Sequence, residues 1–161
     1  INVEFLDADD EKIAAICAMH EIDPQKAIGG AFVSWDGSMA WDKENEDHKG
    51  TTVFALIPDS EDLRKGKLLR ERGYAEIVPV AGEYHMDHDD GLVLITEYET
   101  MSIIERFWFV NSDLRLRSST VKRFGGFNTA TFCAESRVSE ADDAPSTAAS
   151  TDAKSFAISG W

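Results

Sequence analysis

The sequence predicts a mainly β fold, an antiparallel up-and-down meander closed into a barrel, with one or two short helices near its start. Three observations predict it. From Ala31 onward, apolar and polar residues alternate with the period that sends successive side chains to opposite faces of a strand. The alternating runs are joined by hairpin-length links rich in turn residues: Asp36-Gly37, Pro58-Asp59-Ser60, Gly73, Asp87 to Asp90, Asn111-Ser112-Asp113 and Gly125-Gly126. Helical spacing is confined to one early segment. Many short strands with so little helix argue for a meander, and closure removes the two exposed edges that a meander leaves. A barrel of about eight to ten strands can hold a small ligand.

The elements follow in order. Ile1 to Leu6 alternates like a strand, and Asp9 and Asp10 can cap a helix with Ile13, Ile16 and Cys17 on one face, ended by Pro24 at the latest. Strands are expected near 31–35, 39–42, 51–57, 67–72, 74–84, 91–99, 101–110, 115–123 and 127–137. From Glu140 the chain turns to Ala, Ser, Thr and Asp, which bury too little surface to order themselves. One domain over 1–138 and a disordered tail over 139–161 are therefore expected.

The 161 residues suit a single domain with a sizeable core. With 16 basic and 30 acidic residues the net charge is −14, which repels nucleic acid and anionic membranes over most of the surface. The basic residues nevertheless fall into two groups, Arg64, Lys65, Lys67, Arg70, Arg72 and Arg106, Arg115, Arg117, Lys122, Arg123. Either group could form a local anion site; for the first, ordinary solvated strand faces are the plainer reading. Cys17 and Cys133 match neither a disulfide scaffold nor a zinc-ligand pattern, which points to a reducing compartment. No long apolar run, leader or lipidation signal is present, so a soluble, unexported protein without membrane insertion is expected. Ile1 is not an initiator residue, so further residues are expected upstream.

Arg115 and Arg117 are two residues apart on one predicted strand, so both guanidinium forks leave the same face and can meet a pair of carboxylates. The plainer reading is an exposed ladder paired with acids on the next strand. Glu105 alternates with Phe107 and Phe109, opposite in face to Arg106 and Trp108. It joins the arginines if the hairpin loop around Asn111 to Asp113 has odd parity and is separated from them if even. The same parity question governs Trp35 and Trp41, which flank Asp36-Gly37; their rings suit an extended π system, though most barrel tryptophans belong to the core. The stretch His85-Met86-Asp87-His88-Asp89-Asp90 has metal-ligand residue types but reads better as a solvated hairpin loop. Gly125-Gly126 reads as a strand bend, not a phosphate cradle. Cys133 reads as a core thiol, since sequence places no base or cation beside it.

Taken together, FVSWDGSMAWD (32–42), YAEIVPVAGEYHMD, ITEYETMSIIERFWF and RLRSSTVKRFGGFNTATFCAE (115–135) closely resemble the S/U type of phycobiliprotein lyases. These enzymes load open-chain tetrapyrroles onto light-harvesting proteins. The resemblance spans roughly Ile1 to Val138 and implies a lipocalin-like (calycin) barrel. It implies thioether formation between a phycobilin, of phycocyanobilin or phycoerythrobilin type, and a cysteine of a phycocyanin, allophycocyanin or phycoerythrin subunit. In related lyases arginines of this motif hold the two propionates, which points to Arg115 and Arg117, and tryptophans of the first hairpin border the chromophore, which points to Trp35 and Trp41. Glu105 is then the first choice for the acid engaging the pyrrole N–H groups, and Glu135 the second. A carboxylate there would favour a protonated, cationic bilin.

The resemblance also implies a homodimer or a heterodimer with a paralogue, no cofactor and no metal, and a cytoplasmic or plastid setting. Family members carry a further helix and first strand, with a histidine pair, ahead of the point where Ile1 stands, so the domain is expected to be N-terminally incomplete. A non-enzymatic carrier of a tetrapyrrole or other apolar ligand is the competing reading, and a scaffold that binds light-harvesting subunits without bilin is a third.

Overall fold

The computed structural model describes residues 1–37, 48–72, 78–126 and 128–138. Nine strands form one sheet in strict sequence order: β1 Asn2–Leu6, β2 Gly29–Gly37, β3 His48–Asp59, β4 Asp62–Arg70, β5 Val80–Met86, β6 Leu92–Glu97, β7 Met101–Phe109, β8 Leu114–Arg123 and β9 Thr129–Ser136. Every neighbouring pair is antiparallel. This is the predicted up-and-down meander, but curled rather than closed. Among the described residues β1 and β9 share no backbone ladder, and β1 approaches β8 through the Phe5 ring, 5.5 Å from the Arg115 guanidinium.

Helix α1, Glu11–Met19, starts where its cap predicts: the Asp10 side chain accepts the Lys12 N–H at 2.8 Å. It stops before Pro24, which instead opens a separate 3₁₀ turn, Pro24–Lys26. Ile13, Ile16 and Cys17 are buried against the back of the sheet, where they meet Leu6, Ala27, Val53, Ala55, Ile57 and Leu69. Residues of the opposite parity face the hollow of the curl, with Leu68, Tyr84 and Leu94 packed beside Phe54, Leu56, Leu92 and Phe107. Strands β3 and β4 are thus covered on both faces, which is why their sequences run VFALI and KLLR with weak alternation. Farther along the trough, Val80, Tyr98, Met101 and Ile103 close one end together with Val121.

Two predicted features change. Asp36 and Gly37 are strand, not turn: the register continues through Trp35↔Gly50, Asp36↔Lys49 and Gly37↔His48, and Lys49 Nζ lies 3.3 Å from the Asp36 carboxylate. The strand expected at 39–42, Trp41, Gly73, the start of the 74–84 run and the tail over 139–161 lie outside the described residues. Gly125, at φ 78°, sits in the β8–β9 hairpin turn, as its place among the turn links predicts, and not in a bend within a strand.

Leu69 is fully buried between the sheet and α1. Leu69→Ala is expected to cost about 2–5 kcal/mol, read as a fall in the urea midpoint at unchanged slope.

Candidate functional site

The hollow of the curl encloses a cavity of about 610 Å³, in the range of sites for small organic ligands. One wall is apolar, built from Val33 and Trp35 of β2, Phe54 and Leu56 of β3, Leu92 and Leu94 of β6, and Phe107 of β7, with Val3 and Phe5 of β1 at the rim. Trp35 is 37% exposed and lies flat over Gly50, where a Cβ would meet the indole at 2.3 Å. Glycine at position 50 is therefore what seats this ring. Thr52 Oγ1 is buried in the same wall with no hydrogen-bond partner among the described residues.

The opposite side holds a chain of alternating charges. Arg70 Nη2 donates to Glu105 Oε2 at 2.6 Å, and both side chains are almost fully buried. Arg117 Nη1 donates to Glu105 Oε1 at 3.3 Å, and its Nε stands 3.4 Å from Glu135 Oε1. Arg115 reaches Glu135 Oε2 from both Nε, at 2.8 Å, and Nη2, at 2.5 Å. Phe107 lies beneath the guanidinium groups of Arg115 and Arg117, with centroid distances of 5.4 and 5.8 Å. Burial alone lowers the Arg117 pKa, but the Cys133 sulfur, Glu105 and Glu135 outweigh it and hold the group above its ordinary value. Isolated buried charges would cost several kcal/mol each; here each one is matched by an opposite charge at hydrogen-bond range.

The β7–β8 register settles the first parity question. Phe107 pairs with Arg117, Phe109 with Arg115 and Glu105 with Ser119, so Glu105 shares the inner face with both arginines. The turn is held by the Asn111 carboxamide, which accepts the Asp113 and Leu114 N–H groups at 2.9 Å each. Trp108 takes the outer face as expected, against Phe132 and Arg106. Glu135, opposite Arg115 on β9, joins the same cluster. Trp35 lines the cavity; Trp41 is not among the described residues.

Cys133 departs from its expected surroundings. It is half-buried with a guanidinium beside it, Arg117 Nη2 lying 3.4 Å from Sγ, because β8 and β9 set residue 117 opposite residue 133. Cys17 is the deeply buried thiol, and burial together with the charge of Asp23 pushes its pKa up.

In the sequence Arg70 and Arg72 stand out only as members of a basic group whose plainer reading is a solvated strand face. Their basic group divides: Arg64 pairs outside with Asp90 at 3.0 Å, while Arg70 and Arg72 line the cavity. The signal was the spacing of Leu68, Arg70 and Arg72, which puts both arginines on the face of a buried leucine.

Asp87, His88 and Asp89 cluster within 4.8 Å, yet Asp87 is engaged by Arg106 Nε at 2.6 Å and by the Gly91 and Asp89 N–H groups at 2.8 and 2.9 Å. This is the chemistry of a loop cap. The Arg106 hydrogen bond holds the Asp87 carboxyl well below the usual carboxylate range.

A curled antiparallel sheet with an apolar-walled, arginine-rich hollow defines a calycin-like ligand-binding protein. The family model described as "CpeS-like protein" matches residues 1–138, and this chain belongs to that family. It is 63% identical over 161 residues, all of this chain and 81% of the relative, to a phycocyanobilin lyase subunit CpcS of Picosynechococcus sp.. It is 69% identical over 140 residues, 87% of this chain and 73% of the relative, to a chromophore lyase CpcS/CpeS 2 of Synechocystis sp.. The solved S-type phycobiliprotein lyase CPES from Guillardia theta superposes with a TM-score of 0.71 at 38% identity, covering 86% of this chain and 75% of that one.

Arg70→Met would strand Glu105 as a buried, half-paired charge and is expected to cost about 3–5 kcal/mol, with much of it recovered in Arg70→Met/Glu105→Leu, as read by urea unfolding. For Asp87 the folded pKa is depressed, so its contribution to stability is fully present above the unfolded value of about 3.9 and is lost as pH falls through the folded value. Asp87→Asn should therefore lower the melting temperature at pH 7, and the gap to the parent protein should narrow on acidification below pH 4.

Proposed function

We propose that this protein is a chromophore lyase that binds a phycobilin and joins it by a thioether bond to a cysteine of a phycobiliprotein subunit. The observation that carries the reading is the cavity itself, with aromatic and aliphatic walls for a conjugated ring system and, among the described residues, four arginines against two glutamates for its carboxylates. The names of the relatives support the same activity, and the name of the CpcS relative favours phycocyanobilin as cargo. The client is then a subunit that carries this bilin, of phycocyanin or allophycocyanin type. No helix among the described residues is long and apolar enough to cross a membrane, in keeping with work beside the client in the cytoplasm.

The reaction is an addition. The client thiol adds across the ethylidene double bond of ring A: sulfur bonds to the exocyclic carbon, the ring carbon gains a proton, and nothing leaves. No redox cofactor or metal is needed for that balance. The lyase supplies orientation and proton control. In this reading the arginine side of the cavity receives the propionates, Trp35 and Phe107 pack against the pyrroles, and Glu105 accepts pyrrole N–H bonds and favours the cationic bilin. Glu105 suits that role because Arg70 and Arg117 hold it in place, while Glu135 belongs to the same ionic chain.

The test mixes the protein, phycocyanobilin and a bilin-free subunit, denatures in acid urea and reads the colour that stays on the subunit. Colour above the lyase-free control with a single-product spectrum is expected. Free bilin spectra that shift without covalent product would mean a carrier. Glu105→Gln is expected to slow attachment about 10²-fold, towards the spontaneous rate, and to weaken the red absorption of the bound bilin.

A further inference from the structure

The pocket arginines are not equivalent, and their existing partners show which of them remain open to a ligand. Arg117 is enclosed by protein partners: Nη1 donates to Glu105, Nη2 to the Cys133 sulfur, and the buried Nε, which makes no hydrogen bond among the described residues, stands 3.4 Å from Glu135 Oε1. Arg70 is buried against Glu105 at the foot of the cavity. Arg115 gives its Nε and Nη2 edge to Glu135 and leaves the Nη1 edge without a partner among the described residues. Arg72 lines the same cavity, is exposed, and forms no ion pair or hydrogen bond among the described residues.

The backbone explains why Arg72 faces inward. The Glu71 N–H donates to the Val53 carbonyl at 3.2 Å, which carries the β3–β4 pairing one residue past Arg70. Residue 72 therefore keeps the parity of Leu68 and Arg70. Charge gives the same answer: among the described lining residues Glu105 and Glu135 offset two of four arginines, an excess of two positive charges in a protein of net charge −14.

We propose that Arg72 is a substrate-binding residue and that it and the free edge of Arg115 take the two ligand carboxylates, with Arg117 serving as the hub that positions Glu105 and Glu135. This rests on the bilin reading above and assigns the carboxylate contacts within it. It moves one of the two expected propionate anchors from Arg117 to a residue on the far side of the trough. A guanidinium near solvent suits a cargo that must be released, since it needs little desolvation to bind or let go.

The experiment titrates the protein with phycocyanobilin and with its dimethyl ester, following the bilin absorption, for the parent chain, Arg72→Gln, Arg72→Lys and Arg115→Gln. Arg72→Gln is expected to weaken free-acid binding about tenfold or more, to leave ester binding unchanged, and to be partly rescued by Arg72→Lys. Arg72 is exposed, so the variant should melt with the parent protein. Equal affinity of Arg72→Gln and the parent for the free acid would overturn the assignment while leaving the lyase reading intact. An equal loss for acid and ester would overturn it too, since Arg72 would then act by packing. A parent chain that binds neither form would sink the bilin reading and this assignment together.

Discussion

The ionic chain Arg70–Glu105–Arg117–Glu135–Arg115 is the interaction on which the rest of the site depends. Arg70 belongs to β4 and Glu105 to β7, strands separated in the sheet by β5 and β6, so their 2.6 Å contact spans the hollow of the curl rather than a hydrogen-bonded neighbour. A nine-stranded antiparallel sheet twists and curls of its own accord, but nothing in its ladders sets how tightly. A buried charge pair does, because separating the partners would leave two unpaired charges out of water. The Phe5 ring over Arg115 makes a weaker bridge across the open seam between β1 and β8.

The apolar wall has a different origin. Strands β3 and β4 are held from behind by α1, whose Ile13 and Ile16 press on Ala55 and Leu69, so their inward residues stand on a backing that cannot give. Small residues set close approaches at two points: α1 sits over Gly30, where a Cβ would meet Ile13 Cδ1 at 2.7 Å, and Trp35 sits over Gly50. A rigid aromatic wall facing a charged one can orient a flat ligand by its edges as well as its faces.

For a protein that loads and then surrenders its cargo, arginines already paired with protein carboxylates have a clear use. A cavity lined by four unpaired guanidinium groups would bind a dianion tightly and would be costly to keep empty. Pairing most of them lowers both the cost of the empty state and the grip on the ligand, while the remaining open edges still select for carboxylates. The same arrangement keeps Glu105 aimed before any ligand arrives, so little reorganisation is left for the moment of binding.

The strands could be read from the sequence because alternation and turn chemistry are local: each of the nine strands overlaps an expected run, and β9 and β8 place Arg115, Arg117 and Glu135 on recognisable segments. Asp36-Gly37 has turn chemistry yet forms strand, because a residue pair that favours turns also fits an extended strand when its partner, Lys49, supplies a cross-strand charge. Face assignment across a hairpin lay beyond the sequence, since one residue of register reverses it, and the Glu105–Ser119 pairing had to be seen. Arg70 and Arg72 were hidden for a stronger reason. Their group of basic residues looks like a solvated strand, and only the curl brings β4 across the trough to β7, turning a surface-like arginine into the partner of a buried glutamate. Composition, strand positions and the residue types of the site are thus properties of the sequence alone. Which charges meet, which are left open, and how wide the hollow is are decided by the tertiary structure, because they depend on contacts between strands that are far apart in the chain and not adjacent in the sheet.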